Sequence, residues 1–152
     1  MLTPEKVLTL IPQQPPFRFI DKIIELGEST ATGEYTFRLD ENFYEGHFPG
    51  NPVTPGVILI EAMCQTGLVA LGIHLLGMEL PEEEVAKTIT LFTDAQVEFS
   101  QVVIPGTTVR VSAEKIFWRR RKFKSKVELT LTDGTFVAGG TVSGMGVVRE
   151  HM

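Results

Sequence analysis

Cysteine is almost missing from this sequence. Cys64 stands alone, so no disulfide can form within the chain, and its thiol reads as small helix packing in a reducing, cytoplasmic setting. Basic charge is scarce as well. Fourteen Lys and Arg against 19 Asp and Glu give a net charge of -5, the wrong sign for a nucleic-acid module. No charged-then-apolar leader opens "MLTPEKVLTLI", which argues against export. Internal repeats, linkers and low-complexity stretches are also lacking, so one domain covering 1–152 is expected. With 43% apolar residues, a chain of this length can bury about 70% of the surface its unfolded form exposes.

Long apolar runs number one. Residues 57–76 would make a helix about 30 Å long at 1.5 Å per residue, yet Glu61, Gln65 and His74 interrupt the run and no basic flank anchors it. A helix wrapped by a sheet is expected, not a membrane span. Thr3 as N-cap and Pro4 at the first helical position predict a short helix over 4–11, stopped by "PQQPP". From Phe17 to Leu39 the text is β-like: "FRFIDKIIEL" and "ATGEYTFRL" flank the turn-prone "GEST", with Ala31, Gly33, Tyr35, Phe37 and Leu39 on one alternate set. After the acidic loop "MELPEEE", strands are expected at 87–103, 107–118, 122–132 and 135–148. The class is therefore α+β.

Chemistry concentrates in "EGHFPGNPVTPGVILIEAMCQTG", residues 45–67. Glu61 lies one turn into the apolar helix, and Gln65, four residues on, shares its face. An ionised carboxylate there is costly. Burial should raise its pKa and keep a proton available for donation, as a general acid requires; a glutamate snorkelling to an interface or paired with an arginine is the bland alternative. His47 precedes a Pro/Gly-rich stretch that would hold its imidazole in one place, which suits a general base, although a merely hydrogen-bonded loop histidine fits the same pattern. His74 and His151 lack such company and read as non-catalytic. Gly56, just after Pro55 at the helix start, offers free backbone N–H groups to a developing oxyanion. Base, acid and oxyanion donor together are what removal of water from a β-hydroxy carbonyl compound needs.

The segment "GHFPGNPVTPGVILIEAMCQ" resembles the motif leading into the central helix of the 3-hydroxyacyl-(acyl-carrier-protein) dehydratases, FabZ type. The likeness continues in "IPQQPPFRFIDKI", "FTDAQVEFSQVVIPG" and "KSKVELTLTDGTFVAGGTVSG". It implies a hot-dog fold, an antiparallel sheet around one long helix, working as a homodimer or a trimer of dimers. It further implies a lyase of fatty-acid or related acyl or polyene synthesis, making trans-2-enoyl from (3R)-3-hydroxyacyl thioesters without cofactor or metal. His47 would face Glu61 of the other subunit, Gly56 would polarise the thioester carbonyl, and Gln65 would orient Glu61. The substrate would arrive on acidic acyl carrier protein. Seven of the fourteen basic residues fall in 115–126, and Arg119, Arg120, Arg121 and Lys122 become its expected docking site; a solvated strand face is the plain reading of the same run. Two features depart from or qualify the pattern. Gln13-Gln14-Pro15-Pro16-Phe17 stands where the family usually has His-Arg-Tyr-Pro-Phe, and Glu61 in place of aspartate argues against the sister dehydratase/isomerase type. A hot-dog thioesterase and a non-catalytic acyl-binding subunit are the alternatives.

Overall fold

A computed structural model describes residues 1–151. Its elements run in the expected order, a short helix, two strands, a long helix and four strands. Helix α1, Pro4–Leu10, begins where Thr3 Oγ1 accepts from Lys6 N at 3.1 Å, which satisfies one of the orphan donors of a first turn.

Six antiparallel strands form one sheet in the order β1-β2-β4-β5-β6-β3. They are β1 Lys22–Leu26, β2 Thr30–Thr36, β3 Thr88–Phe99, β4 Thr108–Arg119, β5 Lys122–Leu131 and β6 Phe136–Val148. In β2, Ala31, Gly33 and Tyr35 are buried while their neighbours are not, the period of two legible in the sequence. The expectation of strand from Phe17 onward is corrected: Phe17–Asp21 is irregular. Asp21 marks the start of the pairing, its N donating to Glu34 O at 2.7 Å and its carboxylate accepting from Thr36 N at 2.8 Å at the end of β2. A short helix α3, Glu82–Val85, also interrupts the acidic loop.

The central helix α2 spans Gly56–Leu76. It is apolar enough to cross a membrane by length and composition, but 72% of its 18-residue apolar window is buried inside the protein, as in a core helix. Two layers enclose it. Ala62, Met63, Leu68 and Leu71 pack against the sheet residues Val111, Val127, Leu129 and Val142, while Val69, Ala70 and Ile73 pack against Val7 of α1, Ile11 just after it, Ile20 and Val85. A helix covered on both sides has no polar face to show, which is why its sequence reads apolar all round. Its middle, Gln65–Ala70, is a π-helical stretch. There Ser125 Oγ, from β5, donates to Gly67 O at 2.7 Å, and a Cβ at Gly67 would lie 2.6 Å from Val127 Cγ1. Only glycine lets the widened turn come this close to the sheet.

Candidate active site

Glu61 sits at the last regular turn before the π stretch and lines a cleft of about 260 Å³ together with Gln13, Phe17, Cys64, Leu68 and Thr90. Burial pushes its carboxyl above the ordinary value, and the Gln65 amide, donating to Glu61 Oε2 at 2.8 Å, pulls partly back. The i, i+4 spacing thus does place Gln65 beside Glu61. Gln65 does more than the spacing shows. Fully buried, it also donates to Phe17 O at 3.0 Å and accepts from Phe19 N at 2.7 Å. One side chain therefore orients the carboxyl and pins the irregular 17–19 segment to the helix that carries it. Cys64 shares the cleft, and burial, helped by the charge of Glu61, pushes its thiol up to about 12; it is a wall, not a nucleophile.

His47 lies on the loop between a 3-10 turn, Asn42–Glu45, and α2. The Pro/Gly stretch is irregular, as expected, but hydrogen bonds hold it. His47 N donates to Phe43 O at 3.1 Å, Val53 N donates to His47 O at 2.8 Å, and the hydroxyls of Tyr44 and Thr54 meet at 2.6 Å across the two ends of the loop. The ring's Nδ1 donates to Val53 O at 2.8 Å. A carbonyl can only accept, so Nδ1 carries the hydrogen, and the neutral ring's basic lone pair is at Nε2. Phe48 stacks on the imidazole, centroids 4.3 Å apart.

Gly56 opens α2 with Pro55 as its cap; Ile58 N and Leu59 N both turn back to Pro55 O, so the first-turn donors are Gly56 N and Val57 N. The ring of Phe99 lies over this spot, 3.3 Å from where a Gly56 Cβ would be. His47 and Gly56 do not line the cleft of Glu61.

Arg119, Arg120, Arg121 and Lys122 are exposed at the β4–β5 connection, and none forms an ion pair among the described residues. Arg120 and Arg121 occupy left-handed backbone, φ 52° and 68°. His74 is buried, and its Nε2 donates to Gly27 O at 2.7 Å, a bond that ties α2 to the β1–β2 turn. Two features escaped sequence reasoning: the grip of Gln65 on Phe17 and Phe19, and the presence of Gln13 in the Glu61 cleft. The departure at Gln13 from the family pattern was the available signal.

An antiparallel sheet wrapped around one long buried helix is the hot-dog fold, and here that helix also carries a cleft carboxyl. The chain belongs to the FabA-like domain family, whose pattern matches residues 11–142. It is 37% identical over 135 residues to a 3-hydroxyacyl-(acyl-carrier-protein) dehydratase FabZ of Chloroflexus aggregans, covering 88% of each chain. It is 38% identical over 144 residues to the FabZ of Acetivibrio thermocellus, covering 93% of this chain and 92% of that one. Among solved structures it resembles a dehydratase heterocomplex from Xenorhabdus doucetiae, with TM-score 0.75 and 14% identity over 99% of this chain and 95% of the other. A thioesterase from Haemophilus influenzae has the same fold, with TM-score 0.68 and 14% identity over 98% and 93% of the chains.

Proposed function

We propose that this protein is a lyase that dehydrates (3R)-3-hydroxyacyl thioesters on acyl carrier protein to trans-2-enoyl thioesters, in fatty-acid or related acyl synthesis. The observation that carries the reading is Glu61: a carboxyl raised by burial, held by one amide, at the wall of an otherwise largely apolar cleft. Such a group is protonated at higher pH than a surface glutamate and can protonate a leaving hydroxyl. His47 Nε2 takes the proton from C2, Gly56 N–H steadies the negative charge growing on the thioester oxygen, and Glu61 gives its proton to the hydroxyl oxygen as the C3–O bond breaks. Water leaves, and the proton on His47 returns the pair to its starting state through solvent. Positioned proton transfer contributes roughly 10²–10⁴ and an oxyanion donor roughly 10²–10³.

The working unit is a homodimer, with His47 of one subunit serving Glu61 of the other. Support comes from the absence of His47 from the lining of the cleft that Glu61 faces and from β3, a 12-residue edge strand beside that cleft. Leu91, Phe92 and Phe99 of β3 are 44%, 52% and 45% exposed. A long apolar edge is a template for pairing with a second copy. The lone, buried Cys64 suits the cytoplasm. Incubation with 3-hydroxyacyl carrier-protein thioesters of graded length, read by mass spectrometry, should give a product lighter by one water. Hydrolysis to free acid instead would move the protein to the thioesterases. His47→Ala and Glu61→Gln should each lose at least about a hundredfold in turnover, and mixing the two should restore part of it; no recovery after confirmed subunit exchange would place the site within one chain.

A further inference from the structure

Thr54 is a buried polar residue, 3% exposed, that the steps above leave idle, although it stands one peptide bond from the carbonyl that holds the base. His47 Nδ1 donates to Val53 O at 2.8 Å, and Thr54 N donates to Val103 O at 2.8 Å. That oxygen and that N–H belong to one peptide group. Because the group is planar and stiff, a bond at its N–H end limits where its oxygen can point. The Thr54 side chain adds a second anchor. Its Oγ1 meets the hydroxyl of Tyr44, itself 6% exposed, at 2.6 Å, and Tyr44 lies in the 3-10 turn that ends two residues before His47. The tip of the loop carries no buried anchor: residues 48–51 are exposed, and Gly50 turns there through left-handed backbone, φ 76°. Order at His47 therefore comes from the base of the loop.

A neutral histidine serves as a base only through the ring nitrogen that lacks the hydrogen, and the bond made by the other nitrogen decides which one that is. We propose that Thr54, clasped by Tyr44, is a positioning residue for the base: it holds the Val53 carbonyl against Nδ1, and so keeps the basic lone pair on Nε2 and the ring in one orientation. The inference rests on the dehydratase reading. Without the clasp, the Val53 carbonyl drifts from the ring and two losses follow. The hydrogen divides between Nδ1 and Nε2, so that a share of the rings presents no lone pair to C2 of the substrate. The ring also turns, and a misplacement of about 1 Å can cost roughly a hundredfold in rate. The bond from Thr54 N to Val103 O survives loss of the hydroxyl pair, so the peptide group is loosened rather than freed, and a loss of about tenfold in kcat is expected. KM should hold, since neither Tyr44 nor Thr54 lines the Glu61 cleft.

The test compares Tyr44→Phe, Thr54→Val and the double variant, all close to isosteric, by calorimetric melting, steady-state kinetics and nitrogen NMR of the histidine rings. Each single variant strands one buried hydroxyl and should lower Tm by about 4–8 °C, whereas the double variant strands none and should regain most of that loss. Turnover should not follow Tm. All three should lose about tenfold in kcat with KM within about twofold, and the double variant should stay slow although it melts near wild type. Ring nitrogen shifts of His47, identified by their disappearance in His47→Ala, should show the hydrogen on Nδ1 in wild type and a mixture of both tautomers in the variants. Thr54→Ser, which returns a hydroxyl, should recover most of the turnover. If a single variant fails to fold, the double variant and Thr54→Ser carry the test. Recovery of kcat together with Tm in the double variant, or ring shifts the same as wild type in every variant, overturns the role of Thr54. Absence of wild-type turnover on the 3-hydroxyacyl thioester would overturn the dehydratase reading instead, and the ring shifts, which need no substrate, would still report whether the clasp governs His47.

Discussion

Replacing Gln65 with leucine tests the most connected side chain of the site. Leucine roughly keeps the volume, so no large cavity opens, but three hydrogen bonds vanish together: those to Glu61 Oε2, Phe17 O and Phe19 N. Phe19 is 2% exposed, so its N–H gains no water in return. Leaving the buried Phe19 N–H unpaired costs about 2 kcal/mol, while Phe17 O, on a residue 49% exposed, can turn to water. In a chain of this size each kcal/mol lowers Tm by about 2–4 °C, which gives a fall of about 4–8 °C in a calorimetric scan. Chemistry should change in its own way. The Gln65 bond lowers the pKa of Glu61 against the larger, raising effect of burial, so its removal raises that pKa further. The acid then stays protonated to higher pH, and the alkaline limb of kcat/KM should move upward while its maximum falls. A Tm within about 3 °C of wild type, or an alkaline limb that does not move up, would refute the idea that one amide both orients the acid and pins the 17–19 segment.

Glu61→Gln should separate stability from activity. A carboxyl whose pKa is raised on folding binds its proton more tightly in the native state, so its favourable contribution is complete below the unfolded value of about 4.5 and is lost as pH rises through the folded value. The neutral glutamine escapes that loss, so the variant's stability relative to wild type should increase from pH 4 to pH 8 in urea titrations; a constant difference would show that Glu61 is not raised. At the β4–β5 turn, Arg120→Asn combined with Arg121→Gly places at two left-handed positions the residues that favour them, and should stabilise the fold by about 1–2 kcal/mol. The same pair removes two charges whose attraction reaches only about 10 Å at 0.1 M salt, so KM for carrier-protein substrates should rise and its salt dependence flatten, with a small thioester mimic unaffected. An unchanged KM would leave the run as a solvated turn.

What the sequence determined by itself is whatever depends on neighbours along the chain. Alternation at Ala31, Gly33 and Tyr35 identified β2, the N-cap and Pro4 located α1, and the i, i+4 spacing paired Glu61 with Gln65, because a period of 2 or 3.6 is a property of local geometry. The family likeness then supplied the hot-dog architecture for the whole order of elements. Tertiary structure decided the rest. Phe17–Asp21 reads as strand by composition but is not one, since Gln65 takes the backbone groups of Phe17 and Phe19 from 48 and 46 residues away. The two-residue connection at Arg120 and Arg121 carries no Asn-Gly signal; the register of β4 on β5, with Arg119 opposite Lys122, imposes left-handed backbone on residues that do not prefer it. Gln13, Cys64 and Thr90 line one cleft although they are far apart in sequence, while His47, only fourteen positions before Glu61, lines no part of it. Nearness in space is set by how the sheet closes around α2, and no local pattern of residues encodes that closure.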